Sequence, residues 1–153
     1  MAWGSTVPAA LTALAAMLRT GLAPVSVRDG ATVTDSGALE AVSTAYQTED
    51  QDAVEMAFDP YTSAADLEEY TINCAVHVLA GRDLPGARAR VFVLFNQVGT
   101  LIKANRTLGQ NPNGSDVVMR AWVSSGSLRT DQTDNGPVAS LPFAVTCQAE
   151  TTE

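Results

Sequence analysis

One stretch limits the fold of this chain more than any other: "EEYTINCAVHVLAG", residues 68–81. Tyr70, Ile72, Cys74, Val76 and Val78 fall on one side of an extended chain, and Thr71, Asn73, Ala75 and His77 on the other, because successive strand side chains point to opposite faces. So clean a division predicts an antiparallel sheet covered on one side only. The next segment supplies a cover. From Leu84 onward apolar residues recur at Ala87, Val91, Leu94, Phe95, Val98, Leu101 and Ile102, a helical period kept for about five turns. Asp83 is placed to cap this helix, Pro85 suits its first turn, and Lys103 and Arg106 complement the dipole at its far end.

A first helix is expected over residues 7–20, with Leu11, Leu14 and Leu18 as its buried stripe. Ser5 or Thr6 can cap it, Pro8 fits its first turn and Gly21 is placed to end it. Its other side carries Ala9, Ala13 and Ala16 where charges would be usual, which fits either a contact with a second subunit or a helix sunk in its own domain. "PVSVRDG" reads as a short strand running into a turn at Asp29–Gly30. Residues 39–46 and 53–58 alternate as strands around "QTEDQD", and a charge run of this kind ordinarily marks a solvated hairpin tip. Pro60 stops the second of them. Two closing strands, in "DVVMRAWVSSGSL" and "PVASLPFAVTCQA", are joined by the polar link "RTDQTDNGP" and should pair as a hairpin turning at Asn135–Gly136. The expectation is one α+β domain over residues 1–153, a mixed, mainly antiparallel sheet with two helices on one face.

Composition removes several function classes. A chain of 153 residues, 46% hydrophobic and 17% charged, has the balance of a single globular domain with a real core. The formal net charge of −8 repels phosphates and disfavours tight nucleic-acid binding. It leaves room for a protein that DNA passes without adhering. No stretch approaches the roughly 20 uninterrupted apolar residues of a membrane span. The apolar opening lacks a basic leader, since its first positive side chain is Arg19, so a domain helix of a cytosolic protein is expected. Cys74 and Cys147 fit no paired-cysteine spacing and are expected to be small buried hydrophobes.

Catalytic patterns are equally scarce. Arg88 and Arg90 follow the turn-like "GRDLPG", but on a helix they sit about 200° apart and cannot clasp one phosphate. The turn also lacks the glycines and the Lys-Ser/Thr pair of a phosphate loop. At least one of these arginines must leave the core side. It is then either solvated or a partner for a carboxylate on a neighbouring subunit. His77 is the only histidine, too few for a two-histidine metal site and unaccompanied by a G-x-S-x-G elbow. Carboxylates are mostly loop-borne, and no acid–base pair stands out. The aromatic residues are not interleaved with basic ones, as single-strand stacking requires. No catalytic, metal-binding or cofactor-binding residue is nominated.

The series "EEYTINCAVHVLAG", "ARARVFVLFNQVGTLIKAN", "TLG" and "RAWVSSGSLRTDQTDNGPVASLPFAVTCQA" resembles the tail terminator proteins of long-tailed phages, those of phages infecting actinobacteria above all. "VSVRDG" is similar to that family's first strand and turn. The likeness covers most of the chain in the right order. It departs at "VSTAYQTEDQD" and at "TLGQNPNGSD", which is longer than the family's usual turn. The resemblance implies a virion protein of the neck, assembled in the host cytoplasm. Six copies would form a ring that stacks on the tail tube protein, stops tube growth and offers its other face to the head–tail connector or stopper protein. Double-stranded DNA would pass through without specific binding, and six copies would carry a formal charge of about −48, six times −8. On this reading Asp29, Gly30, Arg88 and Arg90 are the candidate ring-contact residues, and Glu49, Asp50 and Asp52 a candidate acidic loop lining the channel. Other neck rings, a head–tail stopper or a tube protein, are the nearest alternative. A small enzyme or ligand-binding domain is the alternative from another class, and it would need convergent polar groups around a pocket.

Overall fold

The computed structural model describes residues 3–30, 40–63, 65–79, 83–133 and 136–152. In chain order the elements are α1 (Val7–Leu22), β1 (Ser26–Asp29), β2 (Glu40–Thr44), β3 (Val54–Pro60), β4 (Asp66–Leu79), α2 (Leu84–Ala104), β5 (Arg120–Gly126), β6 (Arg129–Thr133) and β7 (Gly136–Glu150). The chain is an α+β fold built on one mixed, mostly antiparallel sheet, with both helices packed against it.

Two long strands form the spine. β4 and β7 pair antiparallel from Leu67–Glu150 to Leu79–Val138. The outer edge of each is covered by two short strands laid end to end. β2 runs against residues 75–78 of β4 and β3 against residues 66–72, both antiparallel. β5 and β6 likewise share the outer edge of β7, β5 at residues 143–148 and β6 at residues 136–140. β1 then adds to β2 in parallel, so Asp29–Gly30 does not close a hairpin. The parallel partner is reached through residues that lie outside those described.

This arrangement revises two expectations. "QTEDQD" is not the tip of a β2–β3 hairpin, because β2 and β3 never pair; it is an excursion between two collinear half-strands. "RTDQT", expected as a polar link, is strand β6 itself. It lacks apolar residues, and its ladder with β7 supplies the order that periodicity could not announce. β6 and β7 do form a hairpin, with Thr133 opposite Gly136; Asn135, expected in its turn, lies outside the described residues.

The alternation read in β4 is present as burial. Tyr70, Ile72, Cys74, Val76 and Val78 are all buried on the helix side. They join Leu14 and Leu18 of α1, Val91, Leu94, Val98 and Ile102 of α2, and Leu141, Phe143 and Val145 of β7 in a single core. α1 lies over β1 and β2, and α2 over β4, β7 and β5. Gly21 does not end α1, which continues to Leu22. Its role is close approach: a Cβ there would lie 2.5 Å from a Leu101 methyl, so any larger residue requires the Leu101 side chain to move.

Helix caps differ in kind. Asp83 accepts a hydrogen bond from the Gly86 backbone N–H at 3.0 Å, as expected of an N-cap. Thr6, the N-cap of α1, makes no such bond with its own side chain. The job passes to Glu68 of β4, whose buried carboxylate accepts from the Thr6 backbone N–H at 2.6 Å, the Thr6 hydroxyl and the Ser5 hydroxyl at 2.7 Å. A negative group at a helix N-terminus also gains from the helix dipole, so one side chain of the sheet holds the first turn of α1 in place.

Candidate functional site

The face of the sheet away from the helices is open, and the acidic excursion folds onto it. The chain leaves β2 at Ala45, which adopts a left-handed conformation (φ 51°). Asn73 of β4 then holds both ends. Its carbonyl accepts from the Tyr46 N–H at 2.7 Å, its own N–H donates to the Ala53 carbonyl at 3.0 Å, and its side-chain amide donates to the Asp52 carbonyl at 2.8 Å. Thr48 and Gln51 close a tight turn by mutual backbone bonds of 3.0 and 3.4 Å. Glu49 and Asp50 sit at its apex and, like Asp52, are exposed. The three candidate channel residues thus share one projecting loop.

Beneath the loop, Tyr46 meets His77 edge to face, ring centroids 5.3 Å apart. A cleft of about 460 Å³ opens beside them, lined by Tyr46, Asp50, His77, Arg129, Asp131 and Ser140 among others. The His77 Nε2 is buried without a hydrogen-bond partner, and so is the Ser43 hydroxyl on the neighbouring strand. Burial pushes His77 below the ordinary histidine value, since desolvation disfavours the imidazolium. Among the described residues no group of three or more His, Cys, Asp or Glu side chains is placed to hold a metal ion. Cys74 and Cys147 are free and buried on the helix side, and burial raises both thiols to about 12, far from thiolate chemistry at neutral pH.

The four candidate contact residues do not gather on one surface. Arg90 points toward β2, where its Nε lies 2.6 Å from a Glu40 carboxylate oxygen. Arg88 is exposed on the opposite flank of α2, as their angular separation requires. Asp29 is exposed at the end of β1, and Gly30, with φ 99°, donates its N–H to the Thr44 carbonyl at 2.7 Å. Asp29 and Gly30 therefore stand at one end of the strand order, and Arg88 above the other.

An exposed apolar surface around β3 escaped the sequence reading. Along β3 every residue after Val54 is exposed. Met56 and Phe58 are 55% and 40% exposed, and Trp3 and Tyr61 nearby reach 52% and 57%. Trp3 packs on Phe58 with ring centroids 5.4 Å apart, and its indole N–H donates to Asp66 at 3.1 Å. On α2, Phe92 and Val93 are also exposed. A binary pattern assigns such residues to a core; only the three-dimensional arrangement reveals that they face outward.

No protein-family model matches the chain, and no curated protein matches it. Among the described residues no helix is long and apolar enough to cross a membrane.

Proposed function

We propose that this protein is a structural ring component of a phage neck, a tail terminator whose copies close into a six-fold ring at the end of the tail tube. The reading starts from the ordered sequence resemblance. The observation that carries it furthest is the β3 edge: a seven-residue strand whose outer edge no described strand covers, bearing exposed Met56 and Phe58 beside Trp3 and Tyr61. Natural sheets guard such edges because they pair with other chains, and clustered exposed apolar residues mark interaction sites. A protein whose working state is an assembly has a use for an edge that an isolated protomer would need to protect.

The acidic charge agrees with the same role. A ring carrying about −48 formal charges, six times −8, presents passing DNA with repulsion instead of adhesion. The loop with Glu49, Asp50 and Asp52 is the candidate lining, since it projects from the sheet and its carboxylates are exposed.

Mass measurement by light scattering tests the assembly. The expected particle is six times the 16.0 kDa protomer, alone or after tail tubes are added. A protein that stays monomeric and ignores tubes would sink the reading. In the phage, deleting the gene should give overlong tails that fail to join heads; tails of normal length would exclude the terminator role.

A further inference from the structure

We infer that neighbouring copies join edge to edge, the β3 edge of one copy against the β5 edge of the next, so that the sheet continues from subunit to subunit. Only the closing of this contact into a ring rests on the proposed function; the contact itself follows from the two edges.

Their directions are compatible. β3 and β7 each run antiparallel to β4, and β5 runs antiparallel to β7. β3 and β5 therefore point in opposite directions at opposite sides of one sheet. Rotation about an axis close to the strand direction preserves those directions, so β5 of the next copy arrives antiparallel to β3, the better-bonded arrangement. Space is compatible too. At this side of the sheet β1 extends beyond β2, while nothing described extends beyond β3. The result is a notch one strand wide, about 4.8 Å.

Both faces of the two edges match in chemistry. On the helix side, Met56 and Phe58 stand opposite Tyr70 and Glu68 in the β3–β4 register. At the far edge the same side holds Val123 and, above it, the aromatic flank of α2. There Phe95 packs on Phe143 with centroids 5.5 Å apart, and exposed Phe92 packs on Phe95 at 6.5 Å. Joining the edges at one level sets Met56 against Ala121 and Val54 against Val123 of the next copy. On the open side, β3 presents Glu55 and Asp59, and β5 presents Arg120 at the level of Ala57 between them. All three are exposed, and none forms an ion pair with another described residue. Apolar meets apolar on one side, and acid meets base on the other. The two surfaces differ from each other, as a head-to-tail contact requires.

Cysteine cross-linking decides the matter, because both native cysteines are buried. Copies carrying Glu55→Cys, Ala57→Cys or Asp59→Cys are mixed in turn with copies carrying Trp122→Cys or Ser124→Cys and mildly oxidised. Disulfide formation needs Cβ atoms within about 4.5 Å. The expected result is a covalent dimer in at least one mixture and none from any β3 variant alone. A β3 variant that cross-links to itself would indicate symmetric edge pairing and overturn the inference. Absence of cross-links in every mixture, in a protein that still sediments as a ring, would overturn the inference while leaving the ring reading intact. Absence of both cross-links and rings would overturn the two together. As a second measurement, Glu55→Arg with Asp59→Arg should weaken self-association at least tenfold, and mixing with Arg120→Glu copies should restore it. Failure of the charge swap to restore association would place the contact elsewhere.

Discussion

The two faces of the sheet are made from alternate residues of the same strands, yet they do different work. On the helix side of β4, Tyr70, Ile72, Cys74, Val76 and Val78 are buried almost completely. On the other side Glu69 is exposed and Thr71, Asn73 and His77 are half-buried, under a polar loop and not under a helix. The covered face holds the fold together by removing apolar surface from water. The open face buries only small side chains, Ala75, Ser43 and Ala144 among them, and its larger side chains form a scaffold of hydrogen bonds and charges instead. Arg120 lies 4.8 Å over the Trp122 ring and donates to Gln148 at 2.7 Å, and Gln148 donates to Glu69 at 2.8 Å. One residue of shift along a strand separates a position that decides stability from one free to serve recognition.

Paired substitutions test this division most directly. Ile72→Ala should cost roughly 2–5 kcal/mol, as for other fully buried aliphatic residues. Thr71→Ala, its immediate neighbour, should stay within about 1 kcal/mol. Denaturant midpoints for the two variants measure the difference, and similar losses would erase the contrast between faces. Glu68→Ala should come next, at about 1–3 kcal/mol, because it strips the acceptor from Ser5 and Thr6 and leaves the first turn of α1 uncapped. Amide exchange should then rise at the start of α1 before it rises in α2. Gly21→Ala should cost about 1–3 kcal/mol by forcing Leu101 aside; a neutral result would mean that the helices separate without penalty.

A smaller effect is expected at the histidine of the open face. His77 is held below its ordinary value near 6.5, so the unfolded chain binds the proton more readily than the folded one. Stability from this group is complete above about pH 6.5 and falls as the pH drops through that value toward the lower folded-state pKa. His77→Gln should remove that part of the pH dependence in thermal melts between pH 7.5 and 5; an unchanged slope would assign it to carboxylates. Smallest of all, Glu49→Gln, Asp50→Asn and Asp52→Asn together should move stability by no more than about 0.5 kcal/mol, the usual limit for exposed sites. The loop is held by the backbone of Asn73, not by its charges. In the virion the same triple change should slow DNA passage if the loop lines the channel, and unaltered ejection kinetics would put the loop outside it.

What was legible in the sequence follows the same line. The β4 alternation and the α2 stripe could be read because burial imposes a period on the residues that face a core. Asp83 could be read because its cap is local. The partition of each outer edge into two half-strands could not, since an acidic stretch between two alternating runs looks the same whether the chain reverses or rejoins its line. β6 was hidden for a related reason: strand pairing is a property of the backbone, and "RTDQT" carries no side-chain trace of it. Glu68 as the cap of α1 lies 62 residues from Thr6, beyond the reach of any local motif. The exposure of Met56, Phe58 and Phe92 had no signature in the sequence, because hydrophobicity records a need for cover without saying whose surface supplies it.

The broken outer strands have a practical corollary. Between Tyr46 and Ala53 the chain departs from and returns to one residue, Asn73, of an uninterrupted β4–β7 spine, so extra sequence spliced into the Thr48–Gln51 turn lengthens a closed detour and leaves the framework in register. Each doubling of such a detour costs only about 0.6 kcal/mol in closure entropy. A peptide tag or fluorophore-binding segment inserted after Glu49 would therefore mark a fixed point on every copy of the protein, turning an irregularity of the sheet into a handle for imaging it.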